Sequence, residues 1–187
     1  MWIEGETRVD SIVRDLANVL IAGGWSLHYP QSVGNIDQVA VLKTTTTPAG
    51  PPGAQESLTA YLEIKRPDPD KNFHYVEVRA SDRPWDPVEE DFPEDTASVP
   101  ARWHWLKPSV TTVRGWYPVS YWATVTNDRA AIVLMGDPSA DFNGYLSSFG
   151  YFGSIEPFAD SDLDVKGNFA VIVSSATPPP QSTQYGD

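Results

Sequence analysis

The sequence contains no cysteine among its 187 residues. This absence excludes disulfide bonds, thiolate metal sites and cysteine nucleophiles at once, so packing or neighbouring subunits must stabilise the fold. No run of apolar residues reaches the roughly 18 that a membrane span needs, and residues 1–10 lack the basic and apolar stretches of a signal peptide. We therefore expect a soluble chain made in the cytoplasm, with no membrane partner.

Basic residues are scarce relative to acidic ones. Asp and Glu number 25 against 13 Lys and Arg, which gives a formal net charge of −12 and a pI near 4.5. Proteins bind the phosphates of nucleic acids through Lys and Arg side chains that displace counterions. The charge balance therefore argues against nucleic acid as a partner.

Sequence signatures of catalysis and of cofactor binding are missing as well. There is no glycine-rich phosphate loop, no nucleophile elbow and no paired-histidine motif of a zinc site. The three histidines, His28, His74 and His104, lie far apart in the sequence, which favours surface or core positions over metal ligation. We predict no enzymatic activity, no catalytic residues and no cofactor.

Two acidic clusters have the alternating oxygen ligands that calcium prefers. They are Asp68, Asp70 and Asn72 in one turn, and Asp160, Asp162 and Asp164 in another. An EF-hand loop needs glycine at its sixth position, where these turns have Phe73 and Val165, and the glutamate of its twelfth position is missing too. Both clusters are interpreted as solvated turns and no metal site is predicted, with calcium at the second cluster as the open alternative.

Proline and glycine, in contrast, are abundant, with 17 and 13 residues. This frequency favours strands joined by many turns, and a hydrophobic content of 41% is enough for one buried core. One helix is predicted near the start, where apolar residues recur at the three-four spacing of a helical face: Val9, Ile12, Val13, Leu16, Ala17 and Leu20. Thr7 with Asp10 resembles a capping box that would begin this helix, and Gly23 and Gly24 would end it.

Much of the rest of the chain has the two-residue alternation of β-strands. Three strands within 39–81 are predicted to pair antiparallel, and 119–137 is predicted as a hairpin whose turn at Asn127 and Asp128 can adopt positive φ. Two further strands are predicted, at 145–158 and 167–175. The fold class is therefore α+β, with the N-terminal helix packed on a mainly antiparallel β-sheet or sandwich and with long proline-rich loops.

A single α+β domain is predicted over residues 1–176. Within it, residues 82–108 hold five prolines and an acidic run with almost no periodic pattern, which indicates an irregular arm or loop. Such an arm could become ordered only against a neighbouring subunit. Residues 177–187 are rich in proline and polar residues and are predicted to form a flexible C-terminal tail.

Aromatic residues are the strongest remaining signal, with seven Trp, eight Tyr and seven Phe. Aromatic side chains are enriched in cores and at interfaces, so core or subunit-interface positions are favoured over a carbohydrate-stacking surface, which stays the alternative. In the stretch 103–105, alternation places the two Trp on one face and His104 on the other. The candidate interface residues are Trp85, Trp103, Trp105, Trp116, Tyr151 and Phe152.

Two glycines, Gly150 and Gly153, interrupt the aromatic strand that contains Phe149, Tyr151 and Phe152. A glycine inside a strand marks a bulge or a place where another backbone or ring comes close. We therefore predict Phe149 and Tyr151 on one face and Phe152 on the other, with the glycines acting as packing devices beside large rings.

Residues 115–158, GWYPVSYWATVTNDRAAIVLMGDPSADFNGYLSSFGYFGSIEPF, and the later stretch DVKGNFA resemble virion structural proteins of tailed bacteriophages. The similarity lies in a hairpin with TND at its tip, the apolar strand AIVLMGDP and the stretch FGYFGSIE. The N-terminal helix followed by GGW is similar as well. This resemblance covers about three-tenths of the chain.

The resemblance implies a non-enzymatic component of a virion, of the tail or baseplate type, or of a related contractile injection particle. Such a component has other virion structural proteins as partners and forms a homo-oligomer or a multi-copy assembly. It transfers no catalytic residues. The alternative function, from a different class, is a β-rich carbohydrate- or receptor-binding module.

Overall fold

The computed structural model describes residues 1–46, 57–67, 75–94, 96–105, 117–136, 147–154, 169–174 and 181–185. Along the chain these residues form β1 (Trp2–Arg8), α1 (Ile12–Ala22), β2 (Ser26–Tyr29), a turn of 3-10 helix (Val33–Asn35), β3 (Val39–Thr45), β4 (Thr59–Lys65), β5 (Tyr75–Ser81), β6 (Ala101–His104), β7 (Pro118–Val125), β8 (Arg129–Gly136), β9 (Ser147–Ser154), β10 (Phe169–Ser174) and β11 (Gln181–Tyr185). Both calcium candidates, His74 and Trp116 lie outside the described residues.

Two antiparallel sheets face each other across a shared hydrophobic core. The six-stranded sheet has the order β1-β7-β8-β9-β10-β11, and the five-stranded sheet has the order β2-β3-β4-β5-β6. On one side of the core the sheets meet directly, since β10 contacts β5 and β6, and β9 contacts β6. The predicted mainly antiparallel, sandwich-like β fold is confirmed, including the pairing of the three strands within 39–81.

Helix α1 contacts β3 of one sheet and β1 and β7 of the other. Its buried side chains belong to the shared core: Ile12, Val13, Leu16, Ala17, Val19 and Leu20. The helix ends at Ala22, with Gly23 as its C-cap, as the sequence predicts. No helix in the described part of the chain is long and apolar enough to cross a membrane.

The predicted capping box at the start of this helix is wrong. Thr7 belongs to β1, and its hydroxyl donates to Oδ2 of Asp15 at 2.5 Å. Ser11 precedes the helix and makes no capping hydrogen bond with its side chain. The chain is extended up to Arg8 because this segment pairs along its whole length with β7, a non-local contact that local capping signals cannot reveal.

The predicted hairpin is formed by β7 and β8, with Val125 opposite Ala130. Its turn is closed by a hydrogen bond from Thr126 N to Arg129 O at 2.8 Å. The positive φ expected at Asn127 and Asp128 is not adopted, since Glu90 is the sole described residue other than glycine with φ in that region. Side-chain hydrogen bonds stabilise this turn instead.

Two segments expected to be irregular contain strands. Ala101–His104 forms β6 at the edge of the five-stranded sheet, inside the segment 82–108. Gln181–Tyr185 forms β11, which pairs with β10 inside the segment 177–187, for which the composition indicates a tail. Both strands are added to sheet edges, where pairing depends on a neighbour distant in sequence.

Candidate functional site

The outward surface of the six-stranded sheet is apolar and accessible to solvent. We call it the outer aromatic face, and its members lie on five adjacent strands: Trp2, Trp122, Ala131, Val133, Met135, Phe149, Tyr151 and Ile172. Trp2 is 63% exposed and Phe149 is 40% exposed, while the others are half-buried. Together they present on the order of 400 Å² of apolar surface, within the range of functional patches on proteins.

The strand register places these side chains in two neighbouring rows. One row crosses the sheet from Glu4 through Trp122, Val133 and Phe149 to Ser174. The next row crosses from Trp2 through Thr124, Ala131 and Tyr151 to Ile172. With strands about 4.8 Å apart, each row is about 19 Å long, which is wide enough for another secondary-structure element to lie across it. Polar residues end the first row, at Glu4 and Ser174, as at the rim of a protein interface.

The alternation of β8 explains why this face is apolar. The residues that point into the sandwich are buried: Ala130, Ile132 and Leu134. The residues between them point outwards and are half-exposed: Ala131, Val133 and Met135. A strand with apolar residues on both faces is typical of a sheet covered on both sides, yet among the described residues no strand or helix covers this one.

The outward face of the five-stranded sheet is different, because the chain covers much of it. Residues 82–94, which we call the cover, place Trp85 and Phe92 against Val41 of β3 and Tyr61 of β4. Both aromatic side chains are buried there, at 3% and 6% exposure. This part of the predicted arm is thus ordered against its own chain and needs no neighbour.

A buried carboxylate, Glu63, lies beneath the cover. Its Oε2 accepts hydrogen bonds from Nε and Nη2 of Arg79, at 3.0 and 2.7 Å, and from Nε1 of Trp85 at 3.0 Å. Arg79 also pairs with Asp91 of the cover at 2.6 Å and lies 5.2 Å from the centre of the Phe92 ring. Glu63 is 3% exposed, and the three donors to its Oε2 compensate the burial of its charge, which indicates a structural role.

The charge of Arg79 is what joins the cover to the sheet. Burial by itself lowers the pKa of Arg79, but the hydrogen bonds and charges of Glu63 and Asp91 outweigh it and raise the pKa above its usual value. The guanidinium therefore stays protonated at every pH at which the fold exists. It bridges one carboxylate from the sheet and one from the cover.

A second polar cluster lies at the tip of the β7–β8 hairpin. Asp128 is 6% exposed and accepts hydrogen bonds from Thr126 Oγ1 at 2.8 Å, Ser154 Oγ at 3.1 Å and the Arg129 guanidinium at 3.3 Å. Burial by itself raises the pKa of Asp128, but these hydrogen bonds outweigh it and hold the pKa below its usual value. Trp25 Nε1 donates to the carbonyl of Thr126 at 2.8 Å, so the turn is tied to the end of the helix as well. These hydrogen bonds hold the turn in place.

Most of the candidate interface residues are used in packing within the chain. Four of them are buried: Trp85, Trp103, Trp105 and Phe152. The rings of Trp103 and Phe152 meet edge to face with their centroids 5.3 Å apart. Tyr151 lies on the outer aromatic face, and for it and Trp116 an interface role stays a prediction. Trp103 and Trp105 are buried, so neither of these two indoles offers a face on which a sugar could stack.

Both glycines of β9 have the close contacts that the sequence indicates. A Cβ on Gly150 would lie 2.9 Å from Cζ2 of Trp103, so this glycine makes room for the indole. A Cβ on Gly153 would lie 2.5 Å from Cα of Arg129, and Gly153 has a φ of +140°. The predicted faces of the strand are confirmed too, with Phe149 and Tyr151 outward and Phe152 buried.

Sequence reasoning missed the main members of the outer aromatic face. Periodicity predicts no strand at Trp2, and the alternation within β7 groups Trp122 with the polar residues Thr124 and Thr126. The available signal was that β7, β8 and β9 carry large apolar residues on both faces, which is unusual for a sheet with one side in water. Only the register shows that these residues share one surface.

The described residues include no cluster of side chains that could bind a metal ion. No group of three or more His, Asp or Glu side chains within them is arranged to hold a metal ion. His28 contacts the Trp85 carbonyl at 3.2 Å, whereas His104 lies on β6 against Tyr75. Comparison of the chain with protein-family models, with curated proteins and with solved structures finds no match.

Proposed function

We propose that this chain is a non-enzymatic structural component of a phage virion, of the tail or baseplate type, that acts through protein–protein assembly. The observation that carries the proposal is the outer aromatic face, an exposed apolar sheet surface with a polar rim. Large apolar patches of this kind mark surfaces that another molecule covers in the working state. The partners are other virion structural proteins, and the place of action is the virion.

The stretch that resembles virion proteins builds the centre of this surface. Residues 115–158 contain β7, β8 and β9, which supply Trp122, Val133 and Phe149 in one row. The resemblance and the exposed face therefore coincide in the same three strands. This coincidence supports an assembly role over a role in binding small molecules.

The finer description of the fold belongs to the same proposal. The chain forms an α+β domain in which α1 packs on the sandwich and the long proline-rich segments serve as loops. The burial of the apolar side of α1 against β3, β1 and β7 supports the first part. With Trp85 and Phe92 packed on their own sheet, the assembly role does not depend on residues 82–108 as an arm.

The test is incorporation into particles. The double variant Trp2→Ser, Phe149→Ser removes the two most exposed aromatic side chains of the face. We expect little effect on the core, because both side chains are exposed. Particles made in cells where this variant replaces the native chain should contain at least about tenfold less of it, as judged by immunoblotting and cryo-electron microscopy.

The matched control is the double variant Val88→Ser, Val99→Ser. These residues are 85% and 73% exposed but lie outside the outer aromatic face. The control variant should be incorporated like the native chain. Equal incorporation of both double variants, or a native chain that is monomeric and absent from every particle, contradicts the proposal.

The carbohydrate-binding alternative keeps one specific observation in its favour. Trp2 lies diagonal to Trp122 across β1 and β7, and both indoles are accessible on a flat sheet. Sugars stack on such aromatic platforms. Saturable quenching of tryptophan emission by soluble oligosaccharides, lost in Trp2→Ser, would favour this alternative, whereas its absence favours assembly.

A further inference from the structure

Strand β1 is at one edge of the six-stranded sheet, and its backbone alternates between two directions. Met1 and Val125 exchange both backbone hydrogen bonds, at 2.6 and 2.8 Å, and the Val9 N–H donates to the Tyr117 carbonyl at 3.2 Å. Hydrogen-bonded pairs recur at every second residue of an antiparallel ladder. The odd-numbered residues of β1 therefore direct their backbone groups to β7, and the even-numbered residues direct theirs away from the sheet.

The outward backbone groups belong to Trp2, Glu4 and Glu6. Among the described residues no hydrogen bond reaches them, and all three side chains are exposed. Helix α1 meets the strand elsewhere, through the bond between Thr7 and Asp15 on the inner face. Three N–H and three C=O groups in a row along an extended edge form a template for one more strand.

The side chains along this edge indicate the charge of such a strand. Glu4 and Glu6 are neighbours on the outward face, and neither forms an ion pair within the described part of the chain. A strand laid beside β1 would place two of its own alternate side chains directly across from them. Lys or Arg at those positions would form favourable cross-strand pairs with Glu4 and Glu6. An apolar residue beside Trp2 would extend the outer aromatic face.

Resting on the assembly function proposed above, we propose that β1 accepts an extended segment of a partner subunit as an added strand, and that this segment carries basic residues at two alternate positions. Strand addition is a recurrent mode of protein recognition in which backbone hydrogen bonds give affinity and alternate side chains give specificity. A second copy of β1 is a poor occupant. Antiparallel pairing of two β1 strands that brings Glu4 and Glu6 into register sets glutamate against glutamate, and like charges across a strand pair repel.

The experiment uses the full chain and a synthetic peptide. The probe is an acetylated and amidated peptide of alternating lysine and valine, and the comparison peptide alternates glutamate and valine. Hydrogen exchange followed by nuclear magnetic resonance should show the Trp2, Glu4 and Glu6 amides slowed by at least about tenfold at saturating lysine peptide. The glutamate peptide should leave them unchanged.

Two pairs of variants separate backbone pairing from charge. Glu4→Pro removes an outward N–H and the charge, whereas Glu4→Gln removes the charge alone. Peptide binding should be lost in Glu4→Pro and weakened in Glu4→Gln, with circular dichroism reporting that both remain folded. The double variant Glu4→Lys, Glu6→Lys should bind the lysine peptide about tenfold more weakly, while the remote control Glu89→Lys, Glu94→Lys with the same charge change should bind normally.

Three results would overturn strand addition at β1. They are no protection of the three amides, equal protection by the glutamate peptide, and equal binding by folded Glu4→Pro and Glu4→Gln. Because these measurements use the isolated chain, their failure leaves the particle-incorporation result untouched. Conversely, a chain that is absent from particles yet binds the lysine peptide at β1 contradicts the assembly function and keeps the edge site.

Discussion

Gly153 is fixed by its backbone as well as by its neighbours. Its φ of +140° lies in a region that L side chains rarely adopt, and the backbone of Arg129 occupies the space where a Cβ would lie. Gly150 is fixed by packing alone, since the Trp103 indole lies against it. One strand thus holds two glycines for two different physical reasons.

Replacing Gly153 with alanine should lower the free energy of unfolding by about 3 kcal/mol, through backbone strain and a clash that the Arg129 backbone cannot relieve. Thermal and denaturant unfolding measure the loss. Gly34→Ala is the control, because its nearest contact would be the Ser32 hydroxyl at 3.9 Å, and it should change stability by less than about 1 kcal/mol. Similar stabilities for the two variants would contradict the role of Gly153.

Asp128 gives the fold a dependence on pH. Because its pKa in the folded chain lies below its usual value, its contribution to stability is present in full above about pH 4 and is lost as the pH falls through the folded value. Asp128→Asn should cost about 1 to 2 kcal/mol at pH 7 and less near pH 3. Exposed Asp37 is the control, and Asp37→Asn should be nearly neutral at both values. A loss for Asp128→Asn that is equal at pH 3 and pH 7 would show that its charge is not involved.

At the scale of single residues, the sequence predicted close contacts better than it predicted backbone angles. The aromatic neighbours of Gly150 could be anticipated, since a glycine beside large rings in a strand indicates a close approach. The negative φ of Asn127 and Asp128 could not, because the turn is held by Ser154 and Trp25, which lie far away in the sequence. Hydrogen bonds from side chains in distant parts of the sequence overrode the local turn preference.

The cover is the element whose behaviour differs most from its composition. Residues 82–94 are acidic and proline-rich, yet Trp85 and Phe92 anchor them on the sheet and Asp91 binds Arg79. A few well-placed anchors are enough to order an irregular segment when the surface beneath is apolar and carries a complementary charge. The segment therefore protects the outward side of β3 and β4 from solvent.

Trp85→Phe tests this anchoring, since it keeps a ring in the pocket but removes the N–H that Glu63 accepts. The variant should lose about 1 to 2 kcal/mol of stability, because the buried carboxylate loses one of its partners. Limited proteolysis should cut residues 82–94 faster than in the native chain. Trp2→Phe, at an exposed position, should change neither quantity, and unaltered proteolysis in Trp85→Phe would contradict the anchoring.

The two-residue periodicity of the sequence predicted the strands at the centre of each sheet, such as β4 and β8. It failed for β1, β2, β6 and β11, which are the edge strands of the two sheets and have mixed composition. The start of α1 failed for the same reason, because pairing with β7 decides where β1 ends. Edge pairing depends on tertiary context, which no local pattern contains.

Among the described residues, four tryptophans are protected, Trp2 is accessible and Trp122 is half-buried. Trp25, Trp85, Trp103 and Trp105 are at most 3% exposed, whereas Trp2 is 63% exposed. Acrylamide should quench Trp2 readily, so Trp2→Phe should remove a large part of the quenchable emission of the isolated chain. Trp85→Phe is the matched control and should leave that part unchanged. Ready quenching that persists in full in Trp2→Phe would contradict this arrangement.

The candidate site belongs to this largest scale, which is why sequence reasoning chose other residues for it. Trp103 and Trp105 were selected because they are large and clustered, and they proved to be core residues. Trp2 and Phe149 come from distant parts of the chain and share one surface only when β1, β7, β8 and β9 are aligned. Composition can signal an excess of aromatics, but it cannot say which of them face water.

The cover also makes the outward faces of the two sheets different, and this difference limits how copies of the chain can stack. A neighbour that docks on the outer aromatic face meets, on the far side of the sandwich, a sheet already occupied by Trp85 and Phe92. Under the assembly role proposed above, we therefore expect stacking of sheet on sheet to end after a single layer instead of continuing as in a fibril. Under the same proposal, we expect any larger array to grow through strand edges, in the plane of the sheets and at right angles to the first contact.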